Sequence, residues 1–224
     1  MVSKGSPIRN SLFPAFRVAT TTKLNPRRRP RQERSRETVE AILEAAAHVF
    51  ERHGYAAGTT NRIADRAGVS IGSLYQYFPN KDAIVVELMR RHIAEAEEVA
   101  WPALEHLVET KPPLHDGLTA IVLGMIGLHQ QSPRLHRVLF EEAPQPAEIH
   151  MLEQAFFARA SALIGDYLQA CPEVTMPDAA VAGRMVTQVV DEVTHGVVIH
   201  PREGEDAEIY ARETVTMLER YLTG

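Results

Sequence analysis

The sequence predicts an all-α fold of about nine helices, in which an N-terminal three-helix unit leads into a larger helical domain. Three observations predict it. From Arg36 onward, apolar residues return at spacings of three and four, the period of a helix buried along one side. Glycine and proline break that pattern at Gly54, Gly68, Pro112-Pro113, Pro133, Pro144/Pro146, Pro172/Pro177 and Pro201/Gly204, leaving helix-length segments between the breaks. No segment alternates apolar and polar residues as a half-buried strand would, and no internal repeat is evident.

Residues 1–35 have no helical period. Between Met1 and Arg36 there are ten basic residues and one acidic residue, Glu33, with the basic density highest at Arg27-Arg28-Arg29-Pro30-Arg31. This composition predicts a disordered basic arm. Next, Val39, Ile42, Leu43, Ala46, Val49 and Phe50 form the stripe of an amphipathic helix that ends before Gly54. Thr60 is positioned to cap a short helix with Ile63, Ala64 and Ala67 on its inner face. Gly68 supplies a tight turn, and Ser70 caps a second short helix pinned inward by Leu74 and Phe78. Asn80 is the expected cap of a long helix reaching about Val108, with Pro102 inside it. Five further helices are expected at about 114–131, 133–143, 146–170, 177–199 and 205–222.

The whole-chain charge of −5 hides an asymmetry. Residues 1–82 hold fourteen of the 24 Lys and Arg residues but seven of the 29 Asp and Glu residues, so this end is basic and the remainder acidic. Such a split suggests that the basic end meets a polyanion. The outward side of the second short helix consists of Ile71, Gly72, Ser73, Tyr75, Gln76 and Tyr77. Small groups at its start let backbone approach base edges, and tyrosine hydroxyls can donate to phosphates.

In its run TTNRIADRAGVSIGSLYQYFPNKDAIV the chain resembles the tetracycline-repressor-like (TetR/AcrR) family of transcriptional regulators. The resemblance is dense from Arg36 to about His92, and the combination Leu74-Tyr75-x-Tyr77-Phe78-x-Asn80-Lys81 is specific to that family. It implies a sequence-specific DNA-binding protein, a repressor released from its operator by a small-molecule effector and working as a homodimer. It also implies that Thr60, Tyr75, Tyr77 and Lys81 grip phosphates while the start of the recognition helix reads bases. The resulting set of candidate DNA-binding residues is Thr60, Asn61, Arg62, Ser70, Ile71, Gly72, Ser73, Tyr75, Gln76, Tyr77 and Lys81. The expected organisation is a basic arm over 1–35, a helix-turn-helix domain over 36–82, and a ligand-binding and dimerisation domain over 83–224.

Beyond about residue 95 the resemblance is one of architecture, with the last two helices as the expected dimer pair. Val181, Met185, Val189 and Val193 on one helix, and Ile209 and Leu218 on the next, are the candidate interface residues. Leu118 to Leu128 is apolar almost all round and is expected to be central. With Met125, His129, Phe140, Phe156, Phe157 and Trp101 it is a candidate lining for a largely apolar pocket.

Other chemistries find less support. Cys171 stands alone, so no internal disulfide can form, which fits a cytoplasmic protein. Leu12–Phe16 is too short for a signal-peptide core, and Leu118–Leu128 is about half a membrane span. No phosphate loop or nucleophile arrangement points to an enzyme, and no cofactor is expected. The ten histidines invite a metal reading, and Glu192-x-x-His195 shares one helix face, but no second such pair exists and Pro133 separates His129 from His136. The sequence therefore assigns no metal site.

Overall fold

The computed structural model describes residues 31–224; of the expected basic arm over 1–35, residues 1–30 lie outside the described residues, and residues 31–35, expected to be disordered, form the start of the first helix. The described chain is entirely helical. Its nine α-helices are α1 (Arg31–Ala57), α2 (Thr60–Ala67), α3 (Ile71–Tyr77), α4 (Lys81–Thr110), α5 (Leu114–Gln130), α6 (Pro133–Arg137), α7 (Ala147–Gln169), α8 (Ala179–Thr194) and α9 (Ala207–Thr223). Two turns of π-helix prolong α6 over Val138–Glu142 and α8 over His195–Ile199.

Local chemistry sets most boundaries. Asn80 accepts the Ala83 amide at 2.8 Å and starts α4, while Asp178 and Asp206 do the same for α8 and α9. Gly54, at φ 74°, interrupts α1 before its last turn. Pro133 occupies the first turn of α6, where a missing amide proton costs nothing. Pro102 is accommodated inside the 30-residue α4.

The apolar interior forms two clusters, and α4 runs through both. The first combines the inner faces of α1, α2 and α3 with Ile84 to Ile93 of α4. It also takes in Val138, Leu139, Ala143 and Ile149, so the segment after α6 is plugged into the core of the N-terminal unit. The second cluster is a bundle of α5, α7, α8 and α9 closed by Leu107. Each fully buried Leu or Ile in these clusters contributes roughly 1.5–3 kcal/mol relative to exposure. Glycines let α7 and α8 touch backbone to backbone, since a Cβ on Gly183 would fall 2.3 Å from the Ser161 carbonyl oxygen.

Three expectations change. The face of α5 bearing Leu123, Gly124 and Gly127 is exposed, so this helix is buried on one side only. Leu218 is 2% exposed and belongs to the second cluster together with Val215 and Leu222. Beside the expected Ile209, the apolar residues that α9 turns outward are Tyr210, Met217 and Tyr221.

Candidate functional site

Helices α2 and α3 form a tight pair. Thr59, not Thr60, is the N-cap of α2: its hydroxyl accepts the Arg62 amide. That leaves the Thr60 hydroxyl to meet the Tyr75 hydroxyl at 3.1 Å, tying the start of α2 to the middle of α3. Gly68, at φ 67°, closes α2 in the left-handed conformation, with its own amide and that of Val69 returned to Ala64 and Asp65 carbonyls. Ser70 caps α3 by accepting the Ser73 amide at 3.0 Å. Ile63, Ala64, Leu74 and Phe78 are buried, which fixes the rotation of both helices.

That rotation leaves one face outward. Asn61, Arg62, Ser70, Ile71, Gly72, Tyr75 and Gln76 are exposed, and Thr60, Ser73, Tyr77 and Lys81 are half-buried. A Cβ on Gly72 would meet nothing closer than Ser70 Oγ at 3.8 Å. Among the described residues nothing requires glycine there, although it costs a helix about 1 kcal/mol relative to alanine. Lys81 is held in place: its ammonium donates to the Tyr55 carbonyl at 2.8 Å and lies 3.8 Å above the Tyr55 ring. The Tyr55 hydroxyl donates to Asp82, and burial, with this carboxylate beside it, pushes the phenol up to about 12.

A cavity of about 660 Å³ lies between α4, α5, α6, α7 and α8. Met125, His129, Phe140, Phe156 and Phe157 line it. Trp101 does not reach it and stacks behind Phe156, with ring centroids 4.8 Å apart, while the Arg159 guanidinium covers the indole. Among the described residues, the charged ones of the wall are Glu95, Glu98, Glu153, Asp191 and Glu192, with no Lys or Arg.

One end of the cavity holds histidines that spacing along the chain did not bring together. His129, His136 and His195 each offer a ring nitrogen within 4.8 Å of the others, and His92 meets His136 at 3.0 Å. The turn between α5 and α6 folds His136 back beside His129, and the π turn of α8 begins at His195. His129 Nδ1 donates to the Met125 carbonyl at 3.0 Å, so its Nε2 carries the lone pair and faces His195 Nε2, also at 3.0 Å. Burial disfavours the charged imidazole, bringing His129 down to about 4 and His92 and His136 below the usual histidine range. Burial likewise raises Asp191 and Glu153.

Helix α6 and the segment after it join this cavity to the N-terminal unit. The Arg134 guanidinium donates to the carbonyl of Glu51, and Glu142 accepts the amide of Tyr55 at 3.1 Å. His200 and Glu141 meet at 2.8 Å and tie the end of α8 to the same segment.

Met185 on α8 is exposed, Val181, Val189 and Val193 are half-buried, and Val189 packs on the second cluster. An open groove between α7 and α8, lined by Phe157, Ala158, Val181 and Met185 among others, runs beside them.

Residues 42–88 match the family model for bacterial regulatory proteins of the tetR family, and residues 113–222 match that for the tetracyclin repressor-like C-terminal domain. The transcriptional activator FasR of Mycolicibacterium smegmatis is 32% identical over 114 residues, 51% of this chain and 48% of FasR. The transcriptional repressor KstR of Mycobacterium tuberculosis is 35% identical over 65 residues, 29% of this chain and 30% of KstR. The matched segment thus spans half or less of these curated relatives. The fold is shared with the regulator FadR of Bacillus subtilis, solved in complex with stearoyl-CoA, at a TM-score of 0.60 and 20% identity over 80% of this chain and 96% of FadR. With its N-terminal and C-terminal halves each matched by a model of the same family, and its fold shared across both, the chain belongs to the TetR family of bacterial regulatory proteins.

Proposed function

We propose that the protein is a cytoplasmic, sequence-specific DNA-binding transcriptional regulator, not an enzyme, that works as a homodimer and leaves its operator when a small molecule fills the cavity. The observation that carries this reading is the bare face of α3. A glycine that no described residue requires, the small side chains of Ser70 and Ser73, and exposed Tyr75 stand where a major-groove helix places the residues that reach DNA. Tyr75, Tyr77 and Lys81 contact phosphates, and Ser70 to Ser73 read bases.

Dimerisation follows from the outward apolar residues Met185, Ile209, Met217 and Tyr221, which water would otherwise cover. Two recognition helices about 34–36 Å apart enter successive major grooves, which gives a specificity that one helix lacks.

The effector has an apolar body, matched by Met125, Phe140, Phe156 and Phe157. The carboxylates of Glu95 and Glu98 on the wall, with no Lys or Arg among the described lining residues, favour a hydrogen-bond donor or positive group where the effector meets α4. Coupling runs through Arg134 and Glu142: the cavity residues Leu135, His136 and Phe140 lie along the chain between these two, which hold α1. The deciding experiment is a compound screen by thermal shift, followed by operator binding with each hit. Binders that lower operator affinity support the reading. Binders that all leave it unchanged, or a ligand required for DNA binding, overturn induced release.

A further inference from the structure

We propose that His129, His136 and His195 form a binding site for one divalent transition-metal ion of the zinc class at the polar end of the cavity. Three imidazoles from three different elements surround one point: their ring centroids are 4.7, 4.8 and 5.1 Å apart. A tetrahedral zinc with Zn–N of 2.0–2.1 Å would hold its nitrogens about 3.3 Å from one another. The present nitrogens all lie within 4.8 Å, with one pair at 3.0 Å, so small ring rotations complete the geometry.

The partners of these rings favour ligation. The Met125 carbonyl can only accept, so it holds the proton of His129 on Nδ1 and leaves Nε2 as a donor of electrons. His92, on Nδ1 of His136, can accept a proton in the same way and leave Nε2 of His136 for the ion. Among the metal-free contacts, the one proton between the Nε2 atoms of His129 and His195 belongs to His195; on binding it moves to His195 Nδ1, and the ion takes its place. Asp191, with Oδ1 3.7 Å from His195 Nε2, and Glu153 on the cavity wall supply two negative charges against the dication. All three protein ligands are nitrogens, which favours Zn²⁺, Co²⁺, Ni²⁺ or Cu²⁺ over Mg²⁺ and Ca²⁺. Three ligands with an open cavity on the fourth side match a zinc site that keeps an exchangeable position. Both π turns adjoin the cluster, a local geometry common at functional sites.

The test uses the full untagged chain, stripped with chelator and titrated with Co²⁺ and then Zn²⁺. The expected result is one equivalent of Co²⁺ with the strong visible absorption of a four- or five-coordinate ion, lost when Zn²⁺ competes. X-ray absorption of the zinc-loaded chain should show three imidazole nitrogens at about 2.0–2.1 Å. His195→Asn, at a ring one-third exposed, should keep the fold by circular dichroism and weaken binding by at least about a hundredfold, whereas His150→Asn, at an exposed histidine, should leave it unchanged. A wild-type chain without a one-equivalent site, or with an oxygen-ligated ion, overturns the proposal, as does a folded His195→Asn that binds as tightly. Operator binding does not enter this test, so its failure leaves the proposed function standing.

Discussion

The carboxylate of Glu142 accepts the backbone amide of Tyr55 at 3.1 Å, just past the point where Gly54 breaks α1. Glu142 stands two residues past the cavity-lining Phe140, so the same short segment meets both the cavity and the helix that carries Lys81's partner. Because a Cβ on Gly54 would lie 2.9 Å from the same carboxylate oxygen, Gly54→Ala strains both the φ of 74° and this contact. Glu142→Ala together with Arg134→Ala should leave operator affinity within about threefold while cutting the effector's influence on it by tenfold or more, a coupling loss of about 1.4 kcal/mol. Fluorescence anisotropy with and without effector measures both. Unchanged coupling would place the transmission in α4 alone.

Gly72 yields a prediction with opposite signs in two assays. Gly72→Ala should raise the stability of the DNA-free protein by up to about 1 kcal/mol, since its Cβ meets open space. It should also weaken operator binding by tenfold or more if backbone approaches DNA there. Thermal unfolding and anisotropy on the same preparation suffice, and tighter binding would remove α3 from the groove.

Lys81 and Tyr75 are held by internal partners that DNA must compete with or use. Lys81→Ala should weaken binding to all duplexes and reduce the slope of log affinity against log salt by about one per half-site. Tyr75→Phe, which loses the contact with Thr60 as well as a phosphate donor, should weaken binding without changing that slope. An unaltered affinity and slope for Lys81→Ala would show that its ammonium serves Tyr55 only.

Filling the cavity separates its two roles. Met125→Trp or Phe156→Trp should abolish the thermal shift caused by effector and spare operator binding. Loss of operator binding in a folded variant would mean that the cavity residues support the reading head directly.

Much of this was legible in the chain because local rules and tertiary packing agree. Ser70, Leu74 and Phe78 sit at a cap and on one inward face, so spacing alone places them, and Gly68 could take its turn without help from the rest of the fold. Thr59 and Thr60 are chemically alike, and only the extended backbone of Thr59 (φ −103°, ψ 151°) decides which one caps. On α9, Leu218 and Met217 are adjacent apolar residues; one goes to the core and the other outward, a rotation set by α5 and α8. The histidine cluster was hidden for another reason. Pro133 does end a helix, but as the first residue of α6 it also starts one that turns back, and His195 arrives from more than fifty residues away. Trp101 was drawn to the cavity by composition, while its neighbours hold it outside, under Arg159.

The outward residues of α8 and α9 set the quaternary prediction. Met185→Glu with Met217→Glu should give monomers in ultracentrifugation and lower operator affinity by at least a hundredfold, although α8 and α9 pack in a different apolar cluster from α3. Dimers that persist would move the interface elsewhere.

The central claim is that α3 reads sequence as one of a symmetric pair. It is tested most directly by selecting bound fragments from genomic DNA with the purified full chain and measuring the affinity of the enriched site against scrambled duplex at fixed salt. The account predicts a pseudo-palindrome whose half-sites lie about 34–36 Å apart, bound by one dimer at least a thousandfold more tightly than scrambled DNA. Equal affinity for the two duplexes, or full affinity from a single half-site bound by a monomer, would contradict it.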